Sequence, residues 1–170
     1  RLIQYILSDA YLRFYYALMV PELTAIRSEQ STARFASLVQ RPAFLSWRGR
    51  AFEMVCTRHA PMIARALGFS GIEYSFGPYF RAPKPGRQGV QVDLLFDRAD
   101  NVLTLCEMKY SRTPIGKAVV AELEQKAALL QETFPRKTIQ TILLYHGSTA
   151  SSVAHSPYIH QTLDSSILFT

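Results

Sequence analysis

Apolar positions along the chain follow two rhythms. In the first third they recur at helical spacing: Tyr11, Phe14, Tyr15 and Leu18 share one face of a helix predicted over Asp9–Val20. Asp9 is placed to cap that helix and Pro21 to end it. Phe35, Leu38 and Val39 mark the inner face of a second helix over Glu29–Gln40, and "RPAF" breaks the chain after it. From Ser46, which can act as a cap, "SWRGRAFEMVCTRHAPMIARALG" predicts a third helix with Trp47, Ala51, Met54 and Val55 facing inward. Pro61 must either kink that helix or open a new one as its first residue, and Gly68 marks a stop.

The second rhythm is that of strands. "GIEYSFGPYF" reads as a strand, followed by the loop "RAPKPGRQG". "GVQVDLLFDRADNVLTLCEMKYS" reads as two strands joined by a turn in "DRADN". "GKAVVAELEQKAALLQETF" is an amphipathic helix with Val119, Leu123, Ala127 and Leu130 inward, and "TIQTILLYHG" is a buried strand. "SSVAHSPYIH" receives no assignment, and "SSILFT" is expected to form a short last strand. Helices, strand, hairpin, helix, strand: the order predicts an α/β sandwich around a central mixed sheet.

The hairpin carries residues that a half-buried sheet should avoid. Strict alternation puts Val92, Leu94 and Phe96 on one face, and Gln91, Asp93, Leu95 and Asp97 on the other. On the second strand Leu103, Leu105, Glu107 and Lys109 share a face opposite Thr104, Cys106 and Met108. A turn centred near Asp100 sets Asp93 opposite Glu107, with Cβ atoms about 5 Å apart. Adjacent like charges and burial both raise carboxylate pKa values, so such a pair needs compensation. Lys109 supplies part, and Mg²⁺ or Mn²⁺ held by Asp93 and Glu107 would supply more, since hard cations prefer oxygen ligands. A lysine beside a metal-bound water could position or deprotonate a nucleophile, or neutralise charge growing on a phosphate. The plainer reading is an ion pair at a strand end, Asp93 or Glu107 with Lys109; it is the better one for any of these residues alone. Their combination, with Glu53 on the preceding helix near Arg50 and Arg58, favours a metal-dependent centre.

Charge adds to this picture. The chain of 170 residues carries a formal net charge of +6, which favours anionic partners, nucleic acid above all. Arg81, Lys84 and Arg87 in the Pro/Gly loop would contact backbone phosphates if the loop is more than a solvated connection. Gln91 could orient water or phosphate, and Tyr110 and Ser111 could touch substrate, although each also has an ordinary structural role open to it. The apolar runs are far shorter than a membrane span, no secretory signal is visible, and a cytoplasmic protein is expected. Cys56 and Cys106 lie in hydrophobic patterns without a CxxC and read as reduced, buried thiols. His59, His146, His155 and His160 lack zinc spacing with them, and there is no GxSxG elbow. Arg1 opens directly into "LIQYILSDAYLRFYYALMV", as the interior of a longer polypeptide would.

In its motifs the chain resembles the PD-(D/E)XK nuclease superfamily, the restriction-endonuclease-like fold. The helix glutamate of that pattern corresponds to Glu53 in "RGRAFEMVC", the motif aspartate to Asp93 in "QVDLLFDR", and the last motif to Glu107, Met108 and Lys109 in "LCEMKYS". The resemblance implies that Asp93 and Glu107 bind the metal, that Lys109 serves catalysis and that Glu53 assists. Val92 stands where many members have proline. "YLRFYY", "WRGRAFEMVCTRH" and the hairpin are similar, over nearly the whole chain, to the C-terminal domain of prokaryotic AAA-type ATPases, often called archaeal-type ATPases. This implies a nuclease-like core over residues 46–170, an N-terminal helical extension over residues 1–45 packed on it, and an ATPase with a winged helix upstream. No GxxxxGK[ST] occurs here, so ATP hydrolysis is not carried over. The expected activity is Mg²⁺- or Mn²⁺-dependent phosphodiester hydrolysis of nucleic acid, DNA before RNA, with a homodimer as a possible assembly. The alternative from another class is a non-catalytic module of the same fold that binds nucleic acid or docks on and regulates a partner.

Overall fold

The computed structural model describes residues 7–28 and 32–169. By backbone contacts the chain divides into two compact units, residues 1–51 and 52–170.

The first unit is helical. Asp9 caps α1 (Ala10–Phe14), its Oδ1 accepting from the Leu12 N–H at 2.7 Å. Where one helix to Val20 was expected, α1 passes into a π-helical turn over Tyr15–Met19 and a 3-10 turn over Val20–Glu22. Pro21 lies inside that 3-10 turn instead of ending the helix, and α2 (Leu23–Arg27) follows directly. A tightened first turn can absorb proline because its N–H has no helical acceptor to lose. The second predicted helix is α3 (Thr32–Leu38); Glu29, its expected start, lies outside the described residues. Phe35 is exposed rather than inward and joins Phe14, Leu18, Met19, Ile26 and Leu38 around an apolar cavity of about 250 Å³.

Helix α4 (Pro42–Arg58) starts four residues before the predicted Ser46 cap, with Pro42 as its first residue, where a fixed φ suits the helix and no N–H is missed. Its buried contribution comes from Cys56 and the partly buried Phe52, whereas Val55, expected inward, is exposed. His59 separates it from α5 (Ala60–Ala66), which Pro61 opens in its first turn. Gly68, at φ 80°, closes α5: its N–H donates to Arg65 O and the Phe69 N–H to Ala64 O, a Schellman ending.

Five strands then form one sheet in the order β1-β2-β3-β4-β5. They are β1 (Tyr74–Arg81), β2 (Val90–Arg98), β3 (Val102–Tyr110), β4 (Thr138–His146) and β5 (Gln161–Asp164). β1, β2 and β3 pair antiparallel, while β4 runs parallel to β3 and β5 parallel to β4. The parallel step from β3 to β4 is made by α6 (Ala118–Thr133), and α7 (Ser151–Ala154) precedes β5. The expected terminal strand "SSILFT" is instead a 3-10 turn over Ser165–Phe169; the strand is the preceding Gln161–Asp164, and Thr170 lies outside the described residues.

Each face of the sheet buries its own core. Cys56, Ala60, Ile63 and Ala64 pack on Leu94, Phe96, Cys106, Met108, Ile142 and Leu144. On the other side Val119, Leu123, Leu129 and Leu130 of α6 pack on Val92, Leu95, Leu103, Leu105 and Leu143. The result is the expected helix–sheet–helix sandwich with a mixed sheet and an N-terminal helical region. Cys56 and Cys106 are free and buried, and burial pushes the Cys56 thiol up to about 12 and raises that of Cys106. No helix among the described residues is long and apolar enough to cross a membrane.

Candidate active site

The hairpin turn is centred on Asp100, with Asn101 in the left-handed region at φ 63°. It sets the register Leu94↔Cys106, Leu95↔Leu105, Phe96↔Thr104 and Asp97↔Leu103. The ladder stops there, one step short of Asp93 and Glu107.

A β-bulge explains why the ladder stops. Between the pairs Gly77↔Leu95 and Tyr79↔Val92, β1 supplies only Pro78 while β2 supplies Asp93 and Leu94. Proline has no N–H for a ladder bond, so the partner strand can carry an extra residue there. The bulge corrects the predicted alternation: Leu94 and Phe96 keep one face, but Val92 and Val90 pack on the α6 side. Asp93 sits at the crossover, half-buried, where a bulge re-aims its side chain.

Glu107 continues the row Leu103–Leu105 and is 1% exposed, the one charged residue in the buried set among the described residues. Lys109 Nζ lies 2.7 Å from its Oε1, and Lys126 Nζ, from α6, 2.6 Å from its Oε2. Glu122, one helical turn before Lys126, closes a ring, 2.9 Å from Lys109 Nζ and 2.8 Å from Lys126 Nζ. Desolvation pulls the Lys109 ammonium down, but its hydrogen bonds and charge contacts with Glu107, then Glu122, outweigh it and push its pKa up to about 12. The same opposition leaves Lys126 raised. Desolvation raises Glu122, yet the two lysines outweigh it and hold its carboxyl at about 2. In the ring Lys109 is therefore held as a cation at neutral pH.

The ring forms part of the wall of a cavity of about 430 Å³. Glu53 of α4, Asp93 of the bulge, Glu107 and Lys109 of β3, and Glu122 and Lys126 of α6 all line it. Four carboxylates and two ammonium groups thus line one cavity in a protein whose net charge is +6. Gly89 also lines it, and only glycine serves there: a Cβ would meet Pro83 Cδ at 2.9 Å and Arg81 O at 3.0 Å. Asp93 and Glu107 offer carboxylate oxygens, the donor type that hard divalent cations take. Among the described residues no three His, Cys, Asp or Glu side chains close on one point, and both Glu107 oxygens are taken up by lysines.

Of the residues singled out in the sequence, Glu53, Asp93, Glu107, Lys109 and Gln91 thus share one cavity. The ion pair between Glu107 and Lys109 is present as well, embedded in the larger ring. Arg81 has its guanidinium turned into the fold, donating to Leu129 O at 3.2 Å, to Gln88 O at 3.0 Å and to Thr133 Oγ1. Lys84 and Arg87 bridge each other through their backbones at the loop tip and are exposed. Tyr110 and Ser111 do not line the cavity. Tyr110 stacks on His146 at 4.6 Å between ring centroids, and Ser111 Oγ donates to Thr113 O at 2.6 Å.

Neither a family model nor a curated protein matches the chain. Among solved structures, one neighbour is a protein of unknown function (TM-score 0.45, 13% identity), with 62% of this chain and 55% of that one covered. A second is the EndoMS complex with double-stranded DNA (TM-score 0.37, 22% identity), with coverages of 62% and 43%. A third is a repair endonuclease from Pyrococcus abyssi (TM-score 0.41, 15% identity), with coverages of 64% and 44%. The matched region spans about half the length of these chains or less. Overlaps this slight carry no argument about activity.

Glu122 and Lys126 were not singled out from the sequence. Their signal was nonetheless present: Lys126 stands seven residues after Val119 and four before Leu130, on the buried stripe of α6. A lysine on an inward stripe needs a buried anion to meet it, and Glu107 is that anion.

Proposed function

We propose that this chain is a metal-dependent nuclease module that hydrolyses phosphodiester bonds of nucleic acid. The observation that carries the reading is the cavity itself, where Asp93 on the bulge stands beside the buried Glu107–Lys109 motif, with Glu53 on the same wall. Asp93 and Glu107 would hold Mg²⁺ or Mn²⁺, with Glu53 supporting from α4. Bound there, the cation supplies Lewis acidity and a water of lowered pKa. Lys109, protonated, holds positive charge where the attacked phosphate gathers negative charge. Gln91, on the cavity wall, is placed to orient water or a phosphate oxygen. Lys84 and Arg87, exposed on the loop, would meet the flanking backbone, while Arg81 braces that loop against α6.

In this reading DNA is the first substrate to test. The similarity of "WRGRAFEMVCTRH" and the hairpin to the C-terminal domain of archaeal-type ATPases extends it: the module would act in the cytoplasm under an ATPase and winged helix, and a dimer could address both strands. The test is cleavage of plasmid, linear duplex and single-stranded DNA, and of RNA, by wild type and Asp93→Ala. We expect Mg²⁺-dependent cleavage that EDTA stops. Losing several kcal/mol of transition-state stabilisation with Asp93 should slow it roughly 10³-fold, with the circular dichroism spectrum unchanged. Cleavage that survives Asp93→Ala removes the assignment. The docking reading draws on exposed Tyr11, Tyr16 and Phe35 in the first unit; it takes precedence if no substrate is cut.

A further inference from the structure

Glu122 and Lys126 lie on the helix that joins β3 to β4, and Lys126 stands on the stripe of that helix which packs against the sheet. Each lysine of the ring contacts both acids and each acid both lysines, at 2.6 to 2.9 Å. Glu107 is buried at the closed end of the ring, whereas the Glu122 side chain is 38% exposed. The arrangement has a consequence for any cation arriving at Glu107. An ammonium already sits on each of its oxygens, and a dication beside an ammonium is repelled. One ammonium must then withdraw, and in a partly buried site a second carboxylate that receives it removes the cost of stranding the charge. Lys126 has that second carboxylate on its own helix, Glu122 Oε1 at 2.8 Å.

We infer that Lys126 and Glu122 form a cation-exchange pair serving Glu107: Lys126 is the resident cation of the metal-free site, and Glu122 takes its ammonium when a divalent cation binds. The inference rests on the reading of Asp93 and Glu107 as metal-holding residues. Both members are positioning residues. Lys126 keeps Glu107 oriented and its charge compensated in the absence of metal, and Glu122 lets that compensation be released. Lys109 keeps its own contact to Glu122 at 2.9 Å throughout, so β3 stays tied to α6 during the exchange.

Exchange makes a different prediction from simple electrostatic background. The experiment is calorimetric titration of Mn²⁺ alone into wild type, Lys126→Met, Glu122→Gln and the double variant. It is run at about 1 M salt, where screening leaves a Debye length of about 3 Å. Lys126→Met should bind roughly tenfold tighter and Glu122→Gln roughly tenfold weaker, each step being about 1.4 kcal/mol. The double variant separates the accounts. With no ammonium to relocate, losing Glu122 should cost nothing, and the double variant should bind like Lys126→Met. Additive effects that return it to wild-type affinity overturn the inference, as does a Lys126→Met affinity equal to or weaker than wild type. Should Lys126→Met not fold, Glu122→Gln alone decides, since it alters a half-exposed residue; wild-type affinity in it also overturns the exchange. Binding in wild type that Asp93→Ala abolishes, without these shifts, sinks the exchange and leaves the nuclease reading standing. No binding in either wild type or Lys126→Met sinks both.

Discussion

The two ends of the β2–β3 hairpin both carry charged residues, and they treat them differently. At the turn end Arg98 pairs with Asp100, donates to Gln140 Oε1 at 3.1 Å and lies 4.5 Å over the Phe69 ring. Lys137 pairs with Asp97 beside it. Two cations meet two anions there, the strands are in register, and the cluster is complete. At the open end the ladder gives way to a bulge at Asp93, and four carboxylates share a cavity with two lysines. The difference separates two kinds of polar cluster: the first pairs its charges on strands in register, whereas the second gathers carboxylates and lysines where the backbone pairing is broken, the place our proposal gives to a cation.

The contrast breaks most visibly at Glu107. Glu107→Gln should destabilise the fold by about 2 to 3 kcal/mol in urea unfolding, below the 3–5 of a wholly buried pair because both lysines keep Glu122. It should also abolish Mn²⁺ binding. A loss of binding without a loss of stability would mean that the ring does not anchor α6 to β3.

Titration sharpens the comparison next. Glu122 has a folded pKa held down at about 2 from 4.5, so its contribution is present above pH 4.5 and is lost as pH falls toward 2. Lys109 is raised from 10.5 to about 12, so its contribution is present below pH 10.5 and is lost as pH rises through 12. Urea midpoints should therefore fall at both extremes, and Glu122→Gln should flatten the acid limb. An acid limb unchanged by that substitution would place the titrating group elsewhere.

The smallest effect belongs to the turn end. Lys137→Ala removes a partly exposed pair and should cost at most about 1 kcal/mol, leaving Mn²⁺ affinity untouched. A change in metal affinity there would mean that the two ends are not independent.

Much of this contrast could be read from the chain before any coordinates. The turn at "DRADN" and the alternation of Leu103, Leu105 and Glu107 with Cys106 and Met108 were local signals, and the structure follows them. The bulge was not local: it depends on Pro78 in another strand standing opposite Asp93 and Leu94, and alternation within β2 cannot report it. Glu122 and Lys126 were hidden for a different reason. At a spacing of i and i+4 they look like an ordinary surface pair, and only the inward stripe of α6 reveals that they face β3. Helix ends shifted where proline was the signal. Pro42 opened a helix earlier than the Ser46 cap suggested, and Pro21 was absorbed into a tighter turn. Arg81 shows the limit of reading loop charge as ligand contact, since a basic residue in a Pro/Gly loop can be a brace for that loop.

The central claim is that the open end of the hairpin holds a divalent cation through Asp93. It is tested most directly by calorimetric titration of Mn²⁺ into wild type and Asp93→Ala at neutral pH. The account predicts saturable binding in wild type that disappears in the variant while the melting temperature in the absence of metal is kept. Equal binding by both proteins, or none by wild type, would contradict it.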